Sequence, residues 1–294
     1  MTMIRDSIEA LGEAFTPQQI QGSMAIFAPL LPPVDEATVI RDIAYGPHER
    51  HRLDLFGAAP QGEARPIVLY IHGGGFVRGD KGGPGDPYYN NIGAWAARQG
   101  WLGVTATYRL APDHGWPAGS EDIAAAIDWL RAHAAGHGGD PAKIVLVGQS
   151  AGAAHVAGYV GGAKFADIAA GALAGAIMLS GLYDIVNLVH GPYETAYFGS
   201  DPAQFERQSS IEGLARTTLP CLFTVAEYDP ELFQRQAALM IARRVAVQGK
   251  WPAFVRLEGQ NHITPVHQIG SSADEVGPIL ARFIQAIIKD KTND

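Results

Sequence analysis

The feature that most constrains this chain is a set of short, wholly apolar runs separated by amphipathic stretches. Ile67-Val68-Leu69-Tyr70-Ile71 offers no polar face to water, and three of its five residues are β-branched. Such a run reads as a strand covered on both sides. Ile144-Val145-Leu146-Val147, Ala176-Ile177-Met178-Leu179 and Leu222-Phe223-Thr224-Val225 have the same character. Strand-like segments also occur at Leu102 to Tyr108 and at Phe254-Val255-Arg256-Leu257. Helical patterns lie between them: about Tyr88 to Arg98, Gly119 to Ala134 with Ile123, Ile127 and Leu130 on one face, the stretch after Ser150, Leu232 to Val247, and Ser272 to Ile288. Strands alternating with helices imply an α/β protein, its mostly parallel sheet flanked by helices on both faces. Two earlier segments, Val39 to Tyr45 and Arg50 to Phe56, look antiparallel and bring the count to about eight strands.

Two parts break the alternation. In residues 1–37, Ile4, Ile8, Leu11 and Phe15 recur at helical spacing. Thr16-Pro17 then opens a second helix carrying Ile20, Met24 and Phe27, which ends at Leu30-Leu31-Pro32-Pro33. Residues 183–216 are irregular. Each is a candidate cap over a site, and the whole chain, 1–294, is expected to be one domain.

Composition removes several functions. There are 22 basic and 30 acidic residues, a formal charge of −8, and no run of like charges. Nucleic acid and anionic membrane surfaces need clustered Lys and Arg, so neither is an expected partner. No apolar run is long enough to span a bilayer. The N-terminus lacks a basic start followed by an apolar stretch, so no signal peptide is expected and the default location is cytoplasmic. Cys221 is the lone cysteine; within the apolar run Leu219 to Val225 it reads as a core residue.

Gly148-Gln149-Ser150-Ala151-Gly152 follows one apolar run and precedes a helical stretch. A G-x-S-x-G turn in that setting exposes the serine hydroxyl on a strained backbone, and side chains at the flanking positions would collide with neighbouring elements. The helix N-terminus favours developing negative charge. His72-Gly73-Gly74-Gly75-Phe76 follows the central run directly. Consecutive glycines let backbone N–H groups approach an oxyanion closely. Gly73 and Gly74 are the candidate donors, with Gly75 as alternate and the Ala151 N–H completing the hole. Phosphate binding is disfavoured, because no G-K-[ST] follows and Lys81 lies outside P-loop spacing.

A nucleophilic serine needs a histidine base oriented by a carboxylate. His262 and His267 both follow the last strand, and His262, first after the turn, is preferred. His155 lies on the nucleophile's own helix and His190 in the irregular insertion. For the acid, Asp229 in Ala226-Glu227-Tyr228-Asp229-Pro230 is preferred and Glu227 is the runner-up. His133 and His137 are spaced like metal ligands, but the surrounding glycines break the helix that would align them. No metal is expected.

These residues resemble the hormone-sensitive-lipase-like carboxylesterases of the α/β-hydrolase superfamily. The likeness is carried by the His72 and Ser150 motifs, by Tyr108-Arg109-Leu110-Ala111-Pro112-Asp113-His114 with Pro117, and by Glu227-Tyr228-Asp229-Pro230. It spans roughly residues 38–290. The resemblance implies the α/β-hydrolase fold, a Ser150–Asp229–His262 triad, an oxyanion hole from the His72 motif and Ala151, a mechanism without a cofactor, an N-terminal helical cap and short acyl chains; dimers through the last strand are common in such relatives, so a homodimer is open as an expectation. Gln149 stands where the family usually has an acid, and Ala153 where it has a second glycine. Arg78-Gly79-Asp80-Lys81 looks like relatives that hydrolyse arylformamides. The expected activity is hydrolysis of short-chain or aryl carboxylic esters. The alternatives are an amidase or arylformamidase with the same triad, and a non-catalytic ligand-binding protein on this fold. Candidate pocket residues are Phe76, Met24, Phe27, Leu31, Leu182, Tyr183, Tyr193, Tyr197 and Phe198.

Overall fold

In the computed structural model, which describes residues 2–59 and 63–290, the apolar runs become strands of one eight-stranded sheet. The strands are β1 (Val39–Ala44), β2 (Arg52–Phe56), β3 (Arg65–Ile71), β4 (Leu102–Ala106), β5 (Gly139–Gln149), β6 (Gly175–Leu179), β7 (Cys221–Tyr228) and β8 (Ala253–Asn261). Their spatial order is β1-β2-β4-β3-β5-β6-β7-β8. β1, β2 and β4 pair antiparallel, and every pairing from β4 to β8 is parallel.

The helices are α1 (Thr2–Leu11), α2 (Pro17–Phe27), α3 (Asn90–Arg98), α4 (Ala118–His133), α5 (Ala151–Gly161), α6 (Ala166–Ala172), α7 (Pro192–Phe198), α8 (Pro202–Gln208), α9 (Ile211–Arg216), α10 (Glu231–Gln248), α11 (Thr264–His267) and α12 (Gly277–Asp290). Side chains of a strand alternate between faces, and the two faces are covered by different helices. Ile67, Leu69, Ile144 and Leu146 join Ile123, Ile127 and Leu130 of α4, Val156 of α5 and Met240 of α10. Val68, Tyr70, Val145 and Val147 face Ile92 and Trp95 of α3 and Leu280 and Ile284 of α12. Two-sided burial explains why the central strands lack polar alternation. Among the described residues, no helix is long and apolar enough to cross a membrane.

Three local expectations are corrected. The first helix stops at Leu11 and does not reach Phe15, because Gly12 takes the left-handed conformation (φ +70°) that ends a helix. The last helix begins at Gly277, five residues after the expected start. Asp274 accepts the N–H groups of Val276 (3.0 Å) and Gly277 (2.6 Å), and so acts as its cap. Residues 183–216 are not irregular throughout but contain α7, α8 and α9. α1 and α2 form an N-terminal helical cap whose own core is Ile8 and Phe27 against Tyr88.

Candidate active site

Parallel strands end their chains on one edge of the sheet, and the loops there carry the chemistry-bearing residues. Ser150 lies between β5 and α5 with φ 56° and ψ −120°, a conformation strained for a residue with a side chain. The turn requires its glycines. A Cβ on Gly148 would lie 2.5 Å from the Gly152 carbonyl oxygen, and one on Gly152 would lie 2.2 Å from that of Ile71. The Ser150 N–H donates to Leu179 of β6 (2.9 Å), tying the elbow to the next strand.

Asp229 follows β7 and His262 follows β8, so residues more than a hundred positions apart meet. The His262 imidazole lies 2.5 Å from Asp229 Oδ1 through Nδ1 and 2.8 Å from Ser150 Oγ through Nε2. A carboxylate can only accept, so Nδ1 carries the hydrogen and Nε2 is left to take the serine proton. All three side chains are buried or nearly so. Phe233 of α10 stacks on the imidazole (4.1 Å between centroids) and Phe15 meets it edge-on (5.5 Å).

The alternatives sit elsewhere. Glu227 accepts the Gly259 N–H (2.7 Å) and pairs with Arg256 at 3.0 Å, and that backbone hydrogen bond leads the influences holding its carboxyl below the usual range. His267 is buried against Tyr88 (4.0 Å), and burial lowers its pKa to about 3. His155 is enclosed by Phe76, Tyr108 and Tyr197, and His190 stacks on Phe205. The Cys221 thiol is pushed up to about 12 by burial and lies in the core.

The glycine loop is held rigidly beside the serine. A Cβ on Gly73 would come within 3.3 Å of Ser150 Cβ, and one on Gly74 (φ +127°) would strike the Arg78 carbonyl oxygen at 2.0 Å. His72 is fully buried, stacks on Tyr108 (4.3 Å between centroids) and donates from Nδ1 to the Gly73 carbonyl (2.6 Å). Burial lowers its pKa to about 3, so it stays neutral. Because a trans peptide points its C=O and N–H in opposite directions, fixing the Gly73 carbonyl also fixes the Gly74 N–H.

Several supporting residues carried no motif. Asp229 Oδ2 accepts from Ser180 Oγ and from the Ala226 N–H, both at 2.6 Å. Gln149 Nε2 donates to the His262 carbonyl (2.9 Å). An acid at position 149 could not donate that bond when ionised, which gives the departure from the family pattern a physical meaning. Asn261 accepts the Ile263 and Thr264 N–H groups (3.0 and 3.1 Å), and its own amide donates to Ser23 of α2 (2.9 Å). Only contact, not spacing, reveals these residues.

A cleft of about 190 Å³ opens over Ser150, His262, Gly73 and Gly74. Of the expected pocket residues, Met24 lines it. Phe76, Leu182, Tyr197 and Phe198 instead pack into a neighbouring buried cluster, with Phe76 and Tyr197 stacked at 4.6 Å. Phe27 lies in the cap's core with Leu31 against it, and Tyr183 lies in the main core, edge-on to Phe223. Tyr193 stands on the glycine loop, where a Cβ on Gly75 would approach it to 3.2 Å. The cleft walls that spacing missed are Phe15, Ile20, Tyr88, Tyr89, Ile263 and Val266. Phe15 is available because α1 ends early.

The whole architecture matches esterase structures. Esterase B from Lactobacillus rhamnosis superposes with a TM-score of 0.74 at 18% identity, covering 100% of this chain and 98% of that one. A hyperthermophilic esterase from the archaeon Pyrobaculum calidifontis gives 0.70 at 22% identity, covering 98% and 97%. The chain has the α/β-hydrolase fold. Residues 53–176 match the family model BD-FAE. Tuliposide A-converting enzyme 2 of Tulipa gesneriana is 36% identical over 182 residues, 59% of this chain and 42% of that enzyme. Esterase LipI of Mycobacterium tuberculosis is 42% identical over 92 residues, 31% of this chain and 27% of that protein. These sequence matches thus span less than half the length of either relative.

Proposed function

We propose that this protein is a serine carboxylesterase acting on short-chain or aryl esters. The observation that carries the reading is the continuous hydrogen-bonded path from Ser150 through His262 to Asp229 beside the glycine loop. His262 takes the Ser150 proton as the hydroxyl attacks the ester carbonyl. Asp229 holds the tautomer and stabilises the imidazolium. The N–H groups of Gly73, Gly74 and Ala151 receive the oxyanion, each such donor contributing about 3–4 kcal/mol to the barrier reduction. The protonated alcohol leaves, and water, deprotonated by His262, releases the acid from the acyl-enzyme. The cleft's small volume supports short acyl groups, and the esterases named above supply the same direction of reading. In this reading α7, α8 and α9 form a second cap segment beside the N-terminal one.

The test is turnover of phenyl acetate and phenyl hexanoate by the wild type and by Ser150→Ala. The variant is expected to lose at least roughly 10⁴-fold in kcat. A phosphonate inhibitor should add one covalent mass to the wild type and none to the variant. Full hydrolysis by Ser150→Ala would overturn the reading. Formanilide, run beside the esters, tests the amidase alternative.

A further inference from the structure

The chain carries a formal net charge of −8, yet among the described residues no Asp or Glu lines the cleft above Ser150. Among the described residues, the one permanent charge on its walls is Arg78. His267, also on the wall, is kept neutral by burial. Arg78 is exposed, and its guanidinium lies 5.3 Å from the centre of the Tyr193 ring while donating to the phenol oxygen at 3.2 Å. No carboxylate among the described residues pairs with it. The neighbouring charges are already matched: Arg50 lies 3.9 Å from Asp80, and Lys81 lies 2.8 Å from Asp42 and 2.9 Å from Asp54. The Arg78 backbone is also close to the chemistry, since its carbonyl oxygen occupies the space a Cβ on Gly74 would need, and its ring partner Tyr193 stands on Gly75.

We infer that the site takes esters bearing a carboxylate, which the Arg78 guanidinium binds. A guanidinium has five N–H donors in a plane that fits a carboxylate bidentately, and one of them is spent on Tyr193. The π contact holds one face of the group and leaves the N–H edge free. With no second permanent cation on the wall among the described residues, the charge matches a monoanion; a phosphate dianion would be left undercompensated in an apolar cleft. This substrate class rests on the esterase reading above. The carboxylate can belong to the acyl part or to the alcohol part.

Two substrate pairs separate the sources. Phenyl hydrogen adipate against phenyl hexanoate probes the acyl side, and 3-carboxyphenyl acetate against phenyl acetate probes the alcohol side. In one pair the wild type should favour the charged ester in kcat/KM by about tenfold or more. The preference should shrink with added salt, collapse in Arg78→Met and recover in part in Arg78→Lys. No charged preference in either pair, or one that survives in Arg78→Met, would overturn the inference while the neutral esters still report a working esterase. If the wild type cleaves none of the four, the esterase reading falls and takes this one with it. Should Arg78→Met fail to fold, the wild-type salt series decides alone.

Discussion

Asp229 is the residue on which the local chemistry is most concentrated. It is fully buried and accepts from His262, from Ser180 and from the Ala226 N–H. A buried carboxylate needs all such donors, because its desolvation is otherwise uncompensated. Ser180 itself sits at φ 50°, an unfavourable conformation for a serine, and its N–H is tied to Thr224 of β7. Backbone strain is thus tolerated where it aims a hydroxyl at the acid. Ser180→Ala removes a hydrogen bond to a charged group, worth about 1.5–3 kcal/mol. We expect kcat to fall about tenfold or somewhat more with KM little changed, as steady-state kinetics on phenyl acetate would show. An unchanged kcat would mean that the other two donors suffice to orient Asp229. Neither Ser180 nor Gln149 was legible in the sequence as a partner: each acts across strands, and one-dimensional spacing carries no signal for such contacts. Ser150, Asp229 and His262, which the structure brings together, stand out in the sequence because the strand-to-helix punctuation around them is local.

At the scale of elements, the central strands could be read from their apolar runs, since burial on both faces removes most polar positions, whereas β1 and β8 are partly exposed and keep charged residues. Boundaries set by caps were less legible. Asp274 was one of many acids until its three backbone N–H partners were seen, the third being Gly270 at 2.7 Å. The early end of α1 was signalled only by Gly12, which interrupts an otherwise regular apolar spacing. The cap and the loop bearing His262 are joined by a buried hydrogen bond, from the Asn261 amide to Ser23. Asn261 in turn organises the backbone on either side of Ile263, directly after His262. Ser23→Ala leaves the Asn261 amide without its partner at a cost of about 1–3 kcal/mol. We expect a drop of a few degrees in melting temperature and a lower kcat. A melting curve and kinetics that match the wild type would show that α2 only covers the cleft.

Across the whole molecule, three buried histidines set the response to acid. His72, His155 and His267 all have pKa values lowered to about 3 by burial. Neither ring nitrogen of His155 has a hydrogen-bond partner among the described residues. The unfolded chain protonates these groups near pH 6.5 and the folded chain only near pH 3. Stability is therefore undiminished above about pH 6.5 and declines as the pH falls through the window below it. At pH 5 the loss is about 2 kcal/mol for each histidine. Urea denaturation at pH 8 and pH 5 should show a clear fall in midpoint, and His155→Phe should reduce the difference. Equal midpoints would refute this account. The sheet order has a last consequence. β8 has a strand neighbour on one side only, yet it delivers His262, while Ser150 comes from the middle of the sheet. On its open side Arg5 of α1 lies over Gly259 and pairs with Glu275 at 3.0 Å. His262 thus rides on the margin of the fold, fastened by a helix pair near the start of the chain. On gentle heating, ester turnover should vanish before far-ultraviolet ellipticity declines, with amide exchange quickening first along residues 253–261.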